Sequence, residues 1–197
     1  PPRSTLFPYT TLFRSIIEPC NAAETAAALR WCVQHATRTC MLRLIISPSP
    51  QPIALPGDYR FTPGQGTVIR EGSDAVLFAY GPVMLNEALS AAQSLESKGI
   101  SLKIVNLPWL NRVDAAWLQA VIGDCRILFS LDNHSPYGGI GDCLLNALMD
   151  SNALRGKRLV KFGIEGMPAC GPPPEVLAHH GVDGNSLAKR IAAALQG

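Results

Sequence analysis

Residues 67–82 read TVIREGSDAVLFAYGP and contain two apolar runs, a turn and the start of a helix. The runs Thr67–Arg70 and Ala75–Tyr80 predict strands. The turn-forming tetrapeptide between them, residues 71–74, favours a hairpin in which the two strands pair antiparallel. The Gly-Pro pair that closes the stretch suits a helix start, and the apolar residues that follow keep helical spacing until Gly99, a suitable C-terminal cap. The stretch therefore predicts one antiparallel strand followed by a strand and a helix.

The same alternation of strands and helices continues to the end of the chain. Strands of this length joined by helices require right-handed crossovers and a mostly parallel sheet covered on both faces. We therefore expect a three-layer α/β/α sandwich with a five-stranded, mostly parallel sheet that has one antiparallel strand. Near the end, Val182-Asp-Gly-Asn185 predicts a turn in which Asn185 or Ser186 caps the last helix. The further predicted elements are strands at Leu102–Leu107, Arg126–Asp132 and Leu159–Ile164, with helices starting at Asp114, after residues 138–141 and at Asn185.

Residues upstream of the sandwich divide into three pieces. A partial α/β segment, 16–46, combines a short strand, a helix with a capping-box-like start at Asn21 and Glu24, and an apolar strand over Cys40–Ile46. Residues 47–66 contain five prolines and three glycines and predict a linker. Residues 1–15 share neither the composition nor the periodicity of the rest and resemble a translated sequencing adapter. We expect them to be non-native, 16–197 to be a fragment, and 67–197 to form the main domain.

Composition excludes several classes of protein. The chain is 47% hydrophobic and 16% charged, with a net charge of +2 and scattered basic residues, so we predict no nucleic-acid partner. It has no run of about 18–20 apolar residues, so we predict no membrane span and a cytoplasmic location. The six cysteines form no C-x-x-C pair and lie at no zinc-ligand spacing from a histidine, so no metal site is predicted.

Polar residues and glycines follow the strand that ends at Asp132. The carboxyl ends of strands in open α/β sheets are where ligands bind, so Asp132 and His134 are candidates for an acid–base pair. Alternatively, these side chains cap the strand end and bond across a subunit interface. Gly138, Gly139 and Gly141 could hold an anion at a helix start, or could simply permit close backbone packing.

Arg43 is the one charge inside the apolar strand of the upstream segment. A buried arginine needs a partner, because an unpaired buried charge is costly. Arg43 is therefore predicted either to form a structural ion pair or to bind an anion at the end of the strand.

Several phrases, in this order, resemble the end of a transketolase. Glu18-Pro-Cys-Asn-Ala-Ala-Glu24 and Met41-Leu-Arg-Leu44 resemble the last helix and strand of the family's pyrimidine-binding domain. Arg70-Glu-Gly-Ser-Asp74 and Ala79-Tyr-Gly81 resemble the opening of its C-terminal domain. Leu131-Asp-Asn-His134 with the glycines at 138–141 resembles a segment shared with split transketolases and deoxyxylulose-phosphate synthases.

The resemblance implies the C-terminal part of a thiamine diphosphate- and Mg²⁺-dependent enzyme that transfers a two-carbon ketol unit. Catalytic, cofactor-binding and metal residues would lie upstream, so the chain alone is predicted to be inactive. Its role would be to supply contacts to a second copy in a homodimer, or to a partner N-terminal transketolase subunit. Arg43 would bind the small-molecule substrate, and the Asp132–Gly141 residues would line an interface or the active-site entrance. Sugar-phosphate members have an arginine where this chain has Ile46, which argues against a phosphorylated substrate.

Three other functions remain open. The chain could be a non-catalytic dimerisation or regulatory module, or the C-terminal subunit of a split transketolase. A flavodoxin-like or nucleotide-binding domain is a third interpretation, which is supported only by the glycines at 138–141.

Overall fold

The computed structural model describes residues 15–37, 39–45 and 51–196. Three parts of the predicted organisation lie outside this range. They are Ile46, at which the predicted strand ends, the first residues of the predicted linker, and residues 1–14 of the predicted non-native segment. The described elements follow the predicted alternation. They are β1 (Ser15–Ile17), α1 (Ala22–His35), β2 (Cys40–Leu42), β3 (Thr67–Arg70), β4 (Ala75–Ala79), α2 (Gly81–Glu96), β5 (Leu102–Asn106), α3 (Ala115–Ile122), β6 (Ile127–Leu131), α4 (Ile140–Asp150), β7 (Arg158–Phe162), α5 (Pro173–His179) and α6 (Gly184–Gln196).

Strands β3 to β7 form one five-stranded sheet in the order β3-β5-β4-β6-β7. β4, β5, β6 and β7 are parallel, and β3 is antiparallel to β5. The predicted sheet with one antiparallel strand is therefore confirmed. The predicted hairpin is wrong, because β3 pairs with β5 and not with β4.

The turn between β3 and β4 explains this difference. The backbone N–H groups of Ser73 and Asp74 donate to the carbonyl of Ser101, at 3.2 Å and 2.9 Å, just before β5. Gly72 lies so close to the backbone of Leu102 and Lys103 that a Cβ there would overlap it. The turn therefore carries the chain across the start of β5, and a glycine is needed at the crossing. A two-residue hairpin would instead have placed β3 and β4 side by side.

Helices cover both faces of the sheet and separate two apolar cores. Alternate residues of β4 point to opposite faces, as in any strand. Leu77 packs with α2 and α6, while Phe78 packs with the face that carries α1, α3 and α4. The α/β/α sandwich predicted from the sequence is thus the observed architecture. Of the described helices, none is both long and apolar enough to cross a membrane.

The upstream segment is packed onto the main domain. β1 and β2 are parallel and are joined by α1, whose N-cap Asn21 accepts a hydrogen bond from the Glu24 N–H at 2.8 Å. The predicted N-cap is therefore confirmed, but the return bond differs from that of a capping box: the Glu24 carboxylate accepts the N–H of Cys20, one residue before the cap, at 2.7 Å. Trp109, which follows β5, bridges to Ile17 in antiparallel orientation. The loop after β5 therefore joins the two parts of the chain.

Three local predictions need correction. β2 ends at Leu42, so Arg43 follows the strand and does not lie inside it. The last helix is capped by Asp183, whose Oδ1 accepts the N–H groups of Asn185 and Ser186 at 3.1 Å and 3.2 Å, and not by either of those residues. Helix α5 was absent from the predicted order of elements. Residues 51–66 contain no strand or helix, and their interpretation as a linker remains a prediction.

Candidate functional site

Polar side chains converge at the carboxyl ends of β4 and β6, which are neighbours in the sheet. The helix after β4 and the helix after β6 pack on opposite faces, so the chain leaves these two neighbouring strand ends in opposite directions. Open α/β sheets place ligands at such a switch point. Tyr80 directly follows β4, and Asp132 and Asn133 directly follow β6. The topology therefore selects this edge as the candidate site.

The upstream segment adds two charged residues to this edge. Arg43 lies with its Nε 3.3 Å from Glu18 Oε2, and its Nη2 donates to Asn133 Oδ1 at 2.9 Å. Asn133 Nδ2 in turn donates to Glu18 Oε1 at 2.9 Å. Glu18, Arg43 and Asn133 thus form a closed triangle that joins the two parts of the chain. Of the two roles predicted for Arg43, the structure shows the ion pair.

Tyr80 links this triangle to Asp132. The Tyr80 hydroxyl accepts the N–H of Asn133 at 3.1 Å and lies 3.0 Å from Asn133 Oδ1 and 3.2 Å from Asp132 Oδ1. Because the hydroxyl has a single proton, it can donate to only one of these two oxygens at a time. Asp132 Oδ1 also accepts the N–H of Ile140, at the start of α4, at 3.1 Å.

Both carboxylates of the site are buried. Glu18 is 2% exposed and Asp132 is 0% exposed, and Asp132 Oδ2 has no hydrogen-bond partner within the described residues. Burial raises the pKa of Glu18, an effect that the Arg43 guanidinium and the Asn133 amide oppose. Burial likewise raises the pKa of Asp132, opposed by the N–H of Ile140 and by His134. The two carboxyl groups are therefore set to exchange protons closer to neutral pH than ordinary surface carboxyls.

Two glycines make room for these carboxylates. Gly81 has a φ of +64°, and a Cβ there would overlap the Glu18 carboxylate. A Cβ on Gly139 would overlap the carboxylate of Asp132. Each acid is thus held against bare backbone, which leaves no space for a side chain.

The sequence-predicted site residues fall into two groups. Arg43, Asp132, His134 and Gly139 come together at the strand ends, with His134 Nε2 3.6 Å from Asp132 Oδ1. The distance is too long for a hydrogen bond but suits an ion contact when the imidazole is protonated. Gly141 also acts on Asp132, because its backbone N–H lowers the pKa of that carboxyl. Gly138 instead donates its N–H to Asp142, outside the cluster.

Sequence reasoning missed Glu18, Tyr80 and Asn133 as members of the site. The rule that led to Asp132, which seeks polar residues after a parallel strand, applies equally to Tyr80 after β4. Asn133 stood between two residues that were selected. No local signal marked Glu18, because its role depends on the packing of the upstream segment against β6. Chemically, the cluster can exchange protons through its acids and His134, and can bind a polar group through Arg43.

The pH dependence of stability should report on Asp132. The pKa of Asp132 is raised in the folded state. At pH values between the ordinary pKa of an aspartate and this raised pKa, the folded state binds more protons than the unfolded state, so the stability of wild type falls as the pH rises. An asparagine does not titrate. Asp132→Asn should therefore gain stability relative to wild type as the pH rises above about 4, the ordinary pKa of an aspartate. Urea unfolding across this range measures it, and parallel stability curves for the two proteins would contradict it.

Comparison with known families finds a match over most of the chain. A family model described as transketolase, C-terminal domain, matches residues 64–187. One subunit of the apulose-4-phosphate transketolase of Actinobacillus succinogenes is 31% identical over 130 residues, which cover 66% of this chain and 42% of that protein. A putative transketolase C-terminal section of Methanocaldococcus jannaschii is 32% identical over 133 residues, or 66% of this chain and 40% of that protein. The chain thus spans about two fifths of these relatives.

Solved structures extend the likeness to the upstream segment. A split-gene transketolase, an inactive beta4 tetramer, aligns with a TM-score of 0.80 and 26% identity over 92% of this chain and 58% of that chain. Transketolase of Pichia stipitis in complex with sedoheptulose-7-phosphate aligns with a TM-score of 0.66 and 18% identity over 97% of this chain and 26% of that chain. The second likeness concerns the fold alone.

Proposed function

Because the chain belongs to the transketolase C-terminal domain family, we propose that it is the C-terminal section of a thiamine diphosphate-dependent enzyme that transfers a two-carbon ketol unit. The observation that carries this proposal is the likeness to the split-gene transketolase over 92% of the chain. That likeness reaches beyond residues 64–187 into the segment that supplies Glu18 and Arg43. The site at the strand ends therefore belongs to the part of the chain that resembles a transketolase.

In this proposal the segment 16–46 is the end of a pyrimidine-binding domain, residues 47–66 are a linker, and 67–197 is the C-terminal domain. Two features of the upstream segment support it. Among the described residues, β1 and β2 make a two-stranded sheet, and such a sheet is marginal without further strands or helices. Leu29 and Val33 lie one turn apart on the outer face of α1 and are 55% and 78% exposed. Such a segment is completed by more polypeptide, from the same chain or from a partner.

The strand-end cluster then takes the role of an active-site entrance. Arg43 contacts the substrate, while Glu18 and Asn133 hold its guanidinium in place. Asp132 and His134 line the same edge, with Asp132 buried behind Tyr80. The C-terminal domain supplies contacts to a second copy or to an N-terminal subunit, and the chain is inactive alone.

The described residues do not fit thiamine diphosphate and its metal. No group of three or more histidine, cysteine, aspartate or glutamate side chains is placed to hold a metal ion in the described ranges. The strand-end cluster contains two buried carboxylates, which would repel a diphosphate. The cofactor-binding residues are accordingly assigned to other polypeptide, and no step of the reaction is assigned to residues of this chain.

The test compares this chain with a protein that also contains the coding sequence upstream of Ile16. The longer protein should show ketol transfer that requires thiamine diphosphate and Mg²⁺, and a saturable rise in Tm with the cofactor. The chain alone should show neither. A saturable rise in Tm for the chain alone would overturn the assignment of the cofactor site, and a longer protein without cofactor-dependent transfer would overturn the proposed reaction.

A second function is favoured by the names of the two relatives, of which one is a transketolase subunit and the other a C-terminal section. In that case the chain is the C-terminal subunit of a split transketolase, or a dimerisation or regulatory module. The N-terminal part of the enzyme is then a separate polypeptide. A distinct upstream gene whose product co-purifies with this chain would support the split enzyme. A continuous reading frame through Ile16 would support a single chain.

A further inference from the structure

Arg43 is already largely occupied by protein groups. Its Nε pairs with Glu18 and its Nη2 donates to Asn133 Oδ1. Within the part of the chain that the structure describes, its Nη1 makes no hydrogen bond. The Arg43 side chain is 34% exposed, whereas Glu18 is 2% exposed. The Arg43 side chain is thus partly open to solvent, while its positive charge is balanced by a buried carboxylate that water screens poorly.

The surroundings of Arg43 are more acidic than basic. Glu18 and Asp132 contribute two carboxylates, and Arg43 and His134 are the cationic side chains that act on them. With His134 neutral, the ionised cluster has a net charge of about −1. A phosphate dianion bound at Arg43 Nη1 would face this negative charge, whereas a hydroxyl group would not.

The sequence brings no second cation to the site from the chain that follows Arg43. Residues 44–57 contain no charged residue at all. Proteins that bind phosphate usually surround it with several cationic or N–H donors. A single, already paired arginine does not meet that requirement.

We propose that Glu18 determines the substrate specificity of this site: by pairing with Arg43 it disfavours a phosphate and favours the uncharged, hydroxylated end of a sugar. This inference rests on the proposed function, in which Arg43 contacts the substrate. The role of Glu18 is to set the charge available at Arg43, so it is a specificity-determining residue and not a catalytic one.

Sulfate binding tests the charge balance in the isolated chain, because sulfate is a dianion across the useful pH range. At pH 8 and constant ionic strength, calorimetric titration of wild type should show no saturable binding. Glu18→Gln should bind sulfate saturably, at least about tenfold more tightly than the weakest affinity that the wild-type titration would have detected. The gain should disappear in Glu18→Gln/Arg43→Met. Glu96→Gln is the matched control, because Glu96 pairs with Arg70 on the surface and its loss should create no binding.

Two results would overturn the proposal. The first is that wild type binds sulfate as tightly as Glu18→Gln does. The second is that Glu18→Gln/Arg43→Met still binds sulfate, which would mean that the anion binds elsewhere.

If Glu18→Gln does not fold, acidification of His134→Gln replaces it. The groups facing Glu18 are Arg43, Asn133, Tyr80, Asp132 and His134, and the variant replaces the imidazole of His134 with an uncharged amide. Lowering the pH from about 8 protonates a growing share of Glu18, whose pKa is raised by burial, and sulfate binding should grow with that share. Binding that stays absent at low pH would contradict the proposal.

The longer protein provides the substrate test. In the wild-type longer protein, kcat/KM for an unphosphorylated aldose should exceed kcat/KM for the phosphorylated aldose. The ratio of the first value to the second should fall about tenfold in Glu18→Gln. A ratio below one in wild type would overturn the inference. A longer protein with no cofactor-dependent activity would overturn the proposed function instead, while the sulfate titrations would still decide the role of Glu18.

Discussion

Replacing Glu24 with alanine is expected to lower the free energy of unfolding by about 3–5 kcal/mol. The Glu24 carboxylate is fully buried and accepts three hydrogen bonds: from Cys20 N–H at 2.7 Å, Tyr59 O–H at 2.6 Å and Asn106 Nδ2 at 2.8 Å. Truncation leaves all three donors without their acceptor, and each buried donor so stranded costs about 1–3 kcal/mol. Urea unfolding followed by circular dichroism measures the loss.

The size of this effect comes from the position of Glu24 in the fold. Its three donors belong to the start of α1, to residues 51–66 and to the end of β5. One carboxylate therefore ties the upstream segment and the predicted linker to the main sheet. Glu24→Gln should be less destabilising than Glu24→Ala, because it keeps one acceptor oxygen. The control is Glu96→Ala, which removes an exposed ion pair with Arg70 and should cost about 0.5 kcal/mol or less. A Glu24→Ala protein within that range would mean that the network does not form in solution.

Arg43→Met should destabilise the chain by about 2–3 kcal/mol, because it leaves the buried Glu18 carboxylate without its cation. Breaking a fully buried pair costs about 3–5 kcal/mol, and the value here is lower because a third of the Arg43 side chain is in water. The loss should grow as the pH rises: Arg43 lowers the pKa of Glu18, so its removal raises that pKa further and makes the ionised acid costlier.

A double-mutant cycle separates the ion pair from simple packing. Glu18→Gln/Arg43→Met removes both charges and should recover much of the stability that Arg43→Met loses. Arg70→Met provides the matched control at the exposed pair with Glu96, where about 0.5 kcal/mol or less is expected. The single variant Glu18→Gln completes the cycle, and a double variant whose loss equals the sum of the two single losses would show that the two side chains are not coupled.

The sequence was most informative where the controlling interactions are local. Asn21 and Glu24 lie three residues apart and cap α1, and Asp114 caps α3 through the N–H of Trp117 at 2.9 Å. Apolar spacing placed the strands of the main sheet within one or two residues of their observed bounds. These features can be read from the sequence because the spacing of apolar residues and the capping bonds involve residues within one turn or one strand of each other.

The candidate site was predicted only in part for the opposite reason. Asp132 and His134 follow a recognisable strand, so the strand-end rule selected them. Glu18 lies 115 residues from Asn133 along the chain, yet their side chains bond at 2.9 Å. No periodicity connects residues that far apart, because their contact depends on how the upstream segment docks against β6.

By itself, the sequence determined the α/β/α class, the single antiparallel strand and the likeness to the transketolase C-terminal domain, since each rests on local pattern and motif order. Only the tertiary structure decided that β3 pairs with β5, because the turn at Gly72 passes over the start of β5 instead of closing a hairpin. It also decided that Arg43 is paired with Glu18 at the ends of β4 and β6. Both outcomes depend on long-range packing, in which burial of apolar faces and pairing of buried charges select one arrangement among those that the local pattern allows.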